Sequence, residues 1–135
     1  MIYTDLPKLG LATAKADDGE YLTLCSNCGG AYPSAAVLEA SITPESKWTL
    51  VRVGKQIALK GSNGNYLSRC NGCWSGGAYP DSAFVHLNND SEPYSKWTPE
   101  KQANGKWALK GDNGKYLARC NACAPSTVEN IAFVH

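Results

Sequence analysis

The chain has 135 residues, 43% of them apolar and 19% charged, with a formal net charge of +1. That is enough for one domain with a real core, too little for two ordinary ones, and not the composition of a disordered chain. The near-neutral charge excludes the dense basic face on which nucleic-acid binding depends. No apolar run approaches the ~20 residues a bilayer-spanning helix needs, so membrane insertion is not expected either.

In chain order, MIYTDLPKLG (Met1 to Gly10) lacks a basic segment followed by an apolar one, so no signal peptide is expected there. A strand around Tyr3 leads to a second around Ala14, then to the turn Asp18-Gly19 and a strand through Leu22 that ends in Cys25-x-x-Cys28. After the loop GGAYPSAA (Gly29 to Ala36), AAVLEA (Ala35 to Ala40) is too short for a helix and reads as strand. The same order then repeats. KWTLVRVGKQIALKGSNGNYLSRC (Lys47 to Cys70) matches KWTPEKQANGKWALKGDNGKYLARC (Lys96 to Cys120), and SAFVHL (Ser82 to Leu87) matches IAFVH (Ile131 to His135). The first cysteines of the three Cys-x-x-Cys motifs stand at 25, 70 and 120, a period of 45 to 50 residues that marks a repeat architecture.

The turns Asp18-Gly19, Asn63-Gly64 and Asn113-Gly114 tolerate positive φ and close tight hairpins. Their flanks, such as IALK and NYLSR, carry strand chemistry, and no window holds a helical apolar period. The chain is therefore expected to be all-β, with about a dozen short strands. Copies one and two run on into a Trp strand, whereas copy three stops at His135. In a linear stack the Tyr3 strand would be left as an open edge, so a closed ring is expected in which it completes the third unit. The expected lobes are roughly 10–54, 55–105, and 106–135 plus 1–9, within a single domain spanning 1–135.

GKQIALKGSNGNYLSRC and GKWALKGDNGKYLARC resemble the strand signature of fascin-like and hisactophilin-like β-trefoils. The resemblance covers nearly the whole chain and implies an all-β β-trefoil of three pseudo-symmetric four-stranded lobes, a six-stranded barrel capped by three hairpins. In it Trp48, Trp97 and Tyr3 begin one strand of each lobe. Leu59, Leu109 and Ala14 sit on the next, Leu22, Leu67 and Leu117 follow, and Val37, Phe84 and Phe133 come last. It also implies filamentous actin as a partner, met by surface residues such as Lys60, Arg69, Lys110 and Arg119. Hisactophilin-like proteins are rich in surface His, whereas this chain has only His86 and His135, so a pH-switched His surface is not expected.

The pairs Cys25/Cys28, Cys70/Cys73 and Cys120/Cys123 have four readings. Residues i and i+3 of a turn lie within disulfide reach, which favours three local bridges. Reduced thiols packed under a loop are the alternative. Zinc fits poorly, because its paired motifs lie 15–20 residues apart and six sulfurs do not divide into fours. A redox site would need a helix after the motif. Bridged pairs would favour an extracellular setting and reduced ones the cytoplasm.

Loops one and two share Gly-Gly-Ala-Tyr-Pro, and loop three, APSTVENIAF, has no aromatic. A tyrosine stiffened by the following proline suits stacking on a sugar face, so the expected ligand is a glycan. Tyr32, Trp74 and Tyr79 would supply stacking, and Asn71, Asp81 and Asn121 hydrogen bonds. The alternative is that Tyr32 and Tyr79 fold back to cap the barrel. Trp48, Trp97 and Trp107 are expected in the core or at the barrel edge, whereas Trp74 stands in an inserted loop and is expected to be exposed. His86 and His135 occupy the place where copy one has Glu39; as symmetry mates they should lie far apart and serve structure. No nucleophile elbow, phosphate loop or His-Glu metal motif occurs, so a non-enzymatic binding module without metal or cofactor is expected.

Overall fold

The computed structural model describes residues 1–5 and 10–135; residues 6–9, assigned to the third lobe above, lie outside them. Thirteen strand segments follow in order: β1 (Ile2–Thr4), β2 (Gly10–Ala12), β3 (Ala14–Ala16), β4 (Tyr21–Ser26), β5 (Ser34–Glu39), β6 (Trp48–Val53), β7 (Gln56–Lys60), β8 (Tyr66–Asn71), β9 (Asp81–Leu87), β10 (Thr98–Lys101), β11 (Trp107–Lys110), β12 (Leu117–Asn121) and β13 (Asn130–Val134). Among the described residues the helical elements are two single 3-10 turns, at Pro44–Ser46 and Pro93–Ser95.

The pairings close a ring. β1 pairs with β3, β2 with β6, β6 with β7, and β10 with β11. The Ile57–Trp97 bridge joins β7 to the start of β10, and Tyr3 opposite Ala108 returns β11 to β1. With β2 and β3 read as one interrupted strand, this is a six-stranded barrel, and the N-terminal strand completes the third lobe. Closure removes the open edge that a linear stack would expose.

The other six strands form three hairpins: β4–β5, β8–β9 and β12–β13. Their second strands meet around the pseudo-three-fold axis through Ala35–Phe84, Ser82–Phe133 and Val37–Ile131. The chain is thus an all-β β-trefoil. Two apolar clusters follow from this division. The barrel cluster holds Ile2, Trp48, Trp97, Leu22, Leu67, Leu117, Leu59 and Leu109. The cap cluster holds Val37, Phe84, Ile131, Phe133, Trp74, Cys70 and Cys73, with Cys25, Cys120 and Cys123 packed against it.

One alignment is corrected by a single residue. Tyr3 lies opposite Lys15, as Thr49 lies opposite Lys60 and Thr98 opposite Lys110. The residue matching Trp48 and Trp97 is therefore Ile2, fully buried, while Tyr3 is half-buried on the other face. The barrel compensates for size. A Cβ at Gly61 would sit 3.2 Å from the Trp48 ring, and one at Gly111 3.4 Å from Trp97. Where Ile2 replaces the indole, the facing residue is Ala16. Both indoles also donate to backbone: Trp48 Nε1–H to the Leu22 carbonyl (2.9 Å) and Trp97 Nε1–H to that of Leu67 (3.0 Å).

Candidate functional site

The three Cys-x-x-Cys motifs stand at the head of the cap loops. Their Cα–Cα distances of 5.8, 5.8 and 5.7 Å lie in the disulfide range, and all six cysteines are paired. The third residue of each motif adopts left-handed backbone (Asn27 φ 60°, Gly72 φ 71°, Ala122 φ 58°), which turns the chain tightly enough to bring the sulfurs together. Each loop then reaches into the next lobe. The Ala31 amide donates to the Cys73 carbonyl (2.9 Å), Ala78 to Cys123 (2.8 Å), and the Ser126 hydroxyl to Cys28 (2.8 Å). The loops are interlocked around the three-fold axis, so each tyrosine is carried over its neighbour.

Tyr32 stacks on His86 of the second lobe, with centroids 4.4 Å apart and planes at 30°, and meets Phe84 edge-on. Tyr79 stacks on His135 of the third lobe at 4.1 Å and 23°, and meets Phe133 edge-on. The tyrosines remain 42% and 41% exposed, so one ring face is covered and much of the other is open. Where the third loop lacks a tyrosine, the receiving position in lobe one is Glu39. The Tyr–His pair is thus present or absent as a unit. His86 and His135, expected to be structural, lie stacked beneath the two tyrosines. The sequence carried this signal in the matched absence of loop aromatic and strand histidine.

Beside the first pair lies a groove of about 330 Å³ lined by Tyr32, His86, Tyr94, Asn71, Arg69 and Leu87. Its polar end is occupied by an interlobe network. Arg69 is paired with Asp81 (2.7 Å) and Asp112, and Asp81 also accepts from Asn71 (3.1 Å) and Asn113 (3.0 Å). Burial alone would raise the Asp81 carboxyl, but Arg69, Asn71 and Asn113 outweigh it and hold it below the usual carboxylate value. The third lobe repeats the pattern: Arg119 faces Asp17 and Asp18, and Asn121 donates to Asn130 (3.0 Å). In lobe one Leu24 replaces the arginine, and the matching groove, about 250 Å³, carries Glu39 and Glu45 instead.

Of the six residues expected to bind ligand, Tyr32 and Asn71 share the second-lobe groove, and Tyr79 and Asn121 hold the equivalent places in the third. Trp74 is a correction. It is 5% exposed, its ring tilted 43° to that of Phe84 with centroids 5.4 Å apart, and it is covered by Gly29, where a Cβ would lie 2.9 Å from its ring. An inserted loop exposes its backbone first, and this indole fills the void the insertion creates under the cap. Asp81 is half-buried and already accepts from three side chains, which commits it to joining the lobes. Of the basic residues an actin surface would use, Arg69, Arg119 and Lys110 each face carboxylates, and Lys60 lies over the Tyr66 ring. Among the described residues no group of three or more His, Cys, Asp or Glu is placed to hold a metal.

No family model and no curated protein matches the chain. Solved structures do. A Polyporus squamosus lectin, bound to the human-type influenza-binding epitope Neu5Aca2-6Galb1-4GlcNAc, is similar over 99% of this chain and 44% of its own, with 17% identity and a TM-score of 0.61. The designed three-fold symmetric protein ThreeFoil is similar over 99% and 89%, with 19% identity and a TM-score of 0.62. The Pmt1–Pmt2 protein O-mannosyltransferase complex of S. cerevisiae is similar over 99% and 24%, with 12% identity and a TM-score of 0.68. The chain thus spans less than half the length of the fungal lectin. At these identities the likeness establishes the fold, which occurs in both a lectin and a transferase, and leaves activity to the site.

Proposed function

We propose that this chain is a non-enzymatic carbohydrate-binding module with two sites, the interlobe groove headed by Tyr32–His86 and the corresponding surface headed by Tyr79–His135. The observation that carries the reading is the pair of exposed tyrosines, each fixed by a histidine beneath it and half open above. A sugar's apolar C–H face buries well against such a ring, and the ring loses little entropy because the stack already holds it. Asn71 and Asn121, exposed beside the two tyrosines, give hydroxyl partners. The fold likeness to the Polyporus squamosus lectin supports this class of function. Three bridges suit an oxidising compartment, which supports an extracellular setting. Actin, the partner implied by the fascin-like resemblance, is the weaker reading, because its basic residues are largely committed to carboxylates. A glycan array probed with wild type and with Tyr32→Ala/Tyr79→Ala tests the proposal. Wild type is expected to bind and the double variant to lose binding; a wild type that binds no glycan overturns it.

A further inference from the structure

One short motif occurs twice in the chain and differs at one place. Pro44-Glu45-Ser46-Lys47-Trp48 and Pro93-Tyr94-Ser95-Lys96-Trp97 each form a single 3-10 turn that leads to a barrel tryptophan. The shared residues are committed to the fold. Proline opens the turn with its fixed φ. The serine is fully buried and its hydroxyl donates back along the chain, Ser46 to the Thr43 carbonyl (2.8 Å) and Ser95 to that of Glu92 (2.9 Å). The Lys47 and Lys96 amides donate to the proline carbonyls, and both indoles are fully buried. The residue that differs is the one that lines the interlobe groove, Glu45 in the first lobe and Tyr94 in the second. The same turn forms with a carboxylate or a ring at that place, so the fold does not call for the ring of Tyr94.

Two rings therefore reach the second-lobe groove from separate elements. Tyr32 comes from the cap loop of the first lobe and lies on His86 of β9, while Tyr94 comes from the turn after β9, which packs against β8. Tyr94 is half-buried, and among the described residues no other ring stacks on it. In the first-lobe groove Glu39 and Glu45 stand where the second has His86 and Tyr94. Resting on the carbohydrate reading above, we infer that Tyr94 is a second aromatic contact for the ligand of the Tyr32–His86 groove and a determinant of its affinity. A glycan carries apolar C–H groups on more than one side and on successive units, so a groove with two rings buries more of that surface than Tyr32 does alone. The pinned turn holds the Tyr94 backbone in place before the ligand arrives, which lowers the ordering cost of the contact.

The test isolates this groove from the Tyr79–His135 surface. Tyr94→Ala and Tyr94→Phe are each made in two backgrounds, Tyr79→Ala, which leaves the Tyr32 groove, and Tyr32→Ala, which leaves the Tyr79 surface. Apparent affinities are read by protein titration on an array of galactose-, mannose-, glucose- and N-acetylglucosamine-terminated glycans, with thermal unfolding of each protein alongside. In the Tyr79→Ala background, Tyr94→Ala is expected to weaken binding about five-fold or more, the size of one lost aromatic contact, and Tyr94→Phe, which keeps the ring, to stay closer to its parent. In the Tyr32→Ala background neither substitution should change affinity, and unfolding temperature should change little in either. Unchanged affinity of Tyr94→Ala in the Tyr79→Ala background overturns this inference and leaves the carbohydrate reading intact. An equal loss in both backgrounds also overturns it, because the effect then runs through the fold. A Tyr79→Ala protein that binds no glycan, while Tyr32→Ala still does, overturns the Tyr32 groove as a site and this inference with it. Absence of binding by wild type to every glycan overturns the carbohydrate reading itself.

Discussion

Gly29 and Gly30 set the path of the first cap loop. Both take left-handed backbone (φ +115° and +88°), and a Cβ at Gly30 would enter the ring of Phe84. Gly30→Ala is therefore expected to destabilise the protein by about 1–3 kcal/mol, from overpacking and an unfavourable φ together. Urea unfolding checks this, and a midpoint equal to wild type would contradict it. Titrating residues give a second prediction. His86 and His135 are held neutral, below their ordinary value of 6.5, chiefly by burial, with Lys115 and the Met1 amine adding to the effect at His135. Asp81 and Asp17 are held below their ordinary 3.8 because Arg69 and Arg119, with other charged and hydrogen-bonding partners, outweigh burial. For all four groups the unfolded chain binds more protons than the folded one, so stability is full above about pH 6.5 and falls on acidification. The histidines contribute the first loss, below 6.5, and the aspartates a second, below 3.8. Unfolding temperature measured from pH 7.5 to 3 should decline in that order; a rise between pH 7 and 5 would contradict the account. At this scale the sequence singled out Tyr32 and Tyr79 through their loops and Asn71 and Asn121 through the Cys-x-x-Cys motifs, and their role as ligand contacts is the proposal above. It hid the burial of Trp74, because whether a loop aromatic faces solvent or core depends on the neighbouring lobe.

Strands decide their residues by pairs. The indoles of Trp48 and Trp97 occupy space that Gly61 and Gly111 leave free, and Ile2 with Ala16 divides the same space differently. Ile2→Trp alone is expected to cost about 1–3 kcal/mol, because Ala16 then overfills the barrel. Adding Ala16→Gly should recover most of that loss, a coupling measurable in a double-mutant cycle by chemical unfolding. Independent, additive effects would contradict the paired reading. The strand order and hairpins were legible because turn chemistry and the lobe repeat agree. The register of β1 was not, since aligning aromatic with aromatic put Tyr3 where Ile2 belongs. A slip of one residue moves a side chain to the opposite face, and only the pairing partner Lys15 fixes which face is inward.

Across the whole molecule, closure and asymmetry have separate causes. Closure was readable from the chain's own arithmetic of strands, because the third lobe needs the N-terminal strand that β1 supplies. The stacking of each loop tyrosine on a neighbouring lobe was not, since only the folded cap shows Tyr32 over His86 and Tyr79 over His135. The bridges cross very short loops and therefore add little to global stability. Their place is at the base of the clasp, where the carbonyls of Cys28, Cys73 and Cys123 receive the neighbouring loops. On the proposed function, the consequence is a trefoil with two sites rather than three. Calorimetric titration of the protein with a glycan that it binds on the array measures this most directly. The account predicts two sites per chain, one remaining in either Tyr32→Ala or Tyr79→Ala, and none in the double variant. Three sites, or a stoichiometry unchanged by both substitutions, would contradict it.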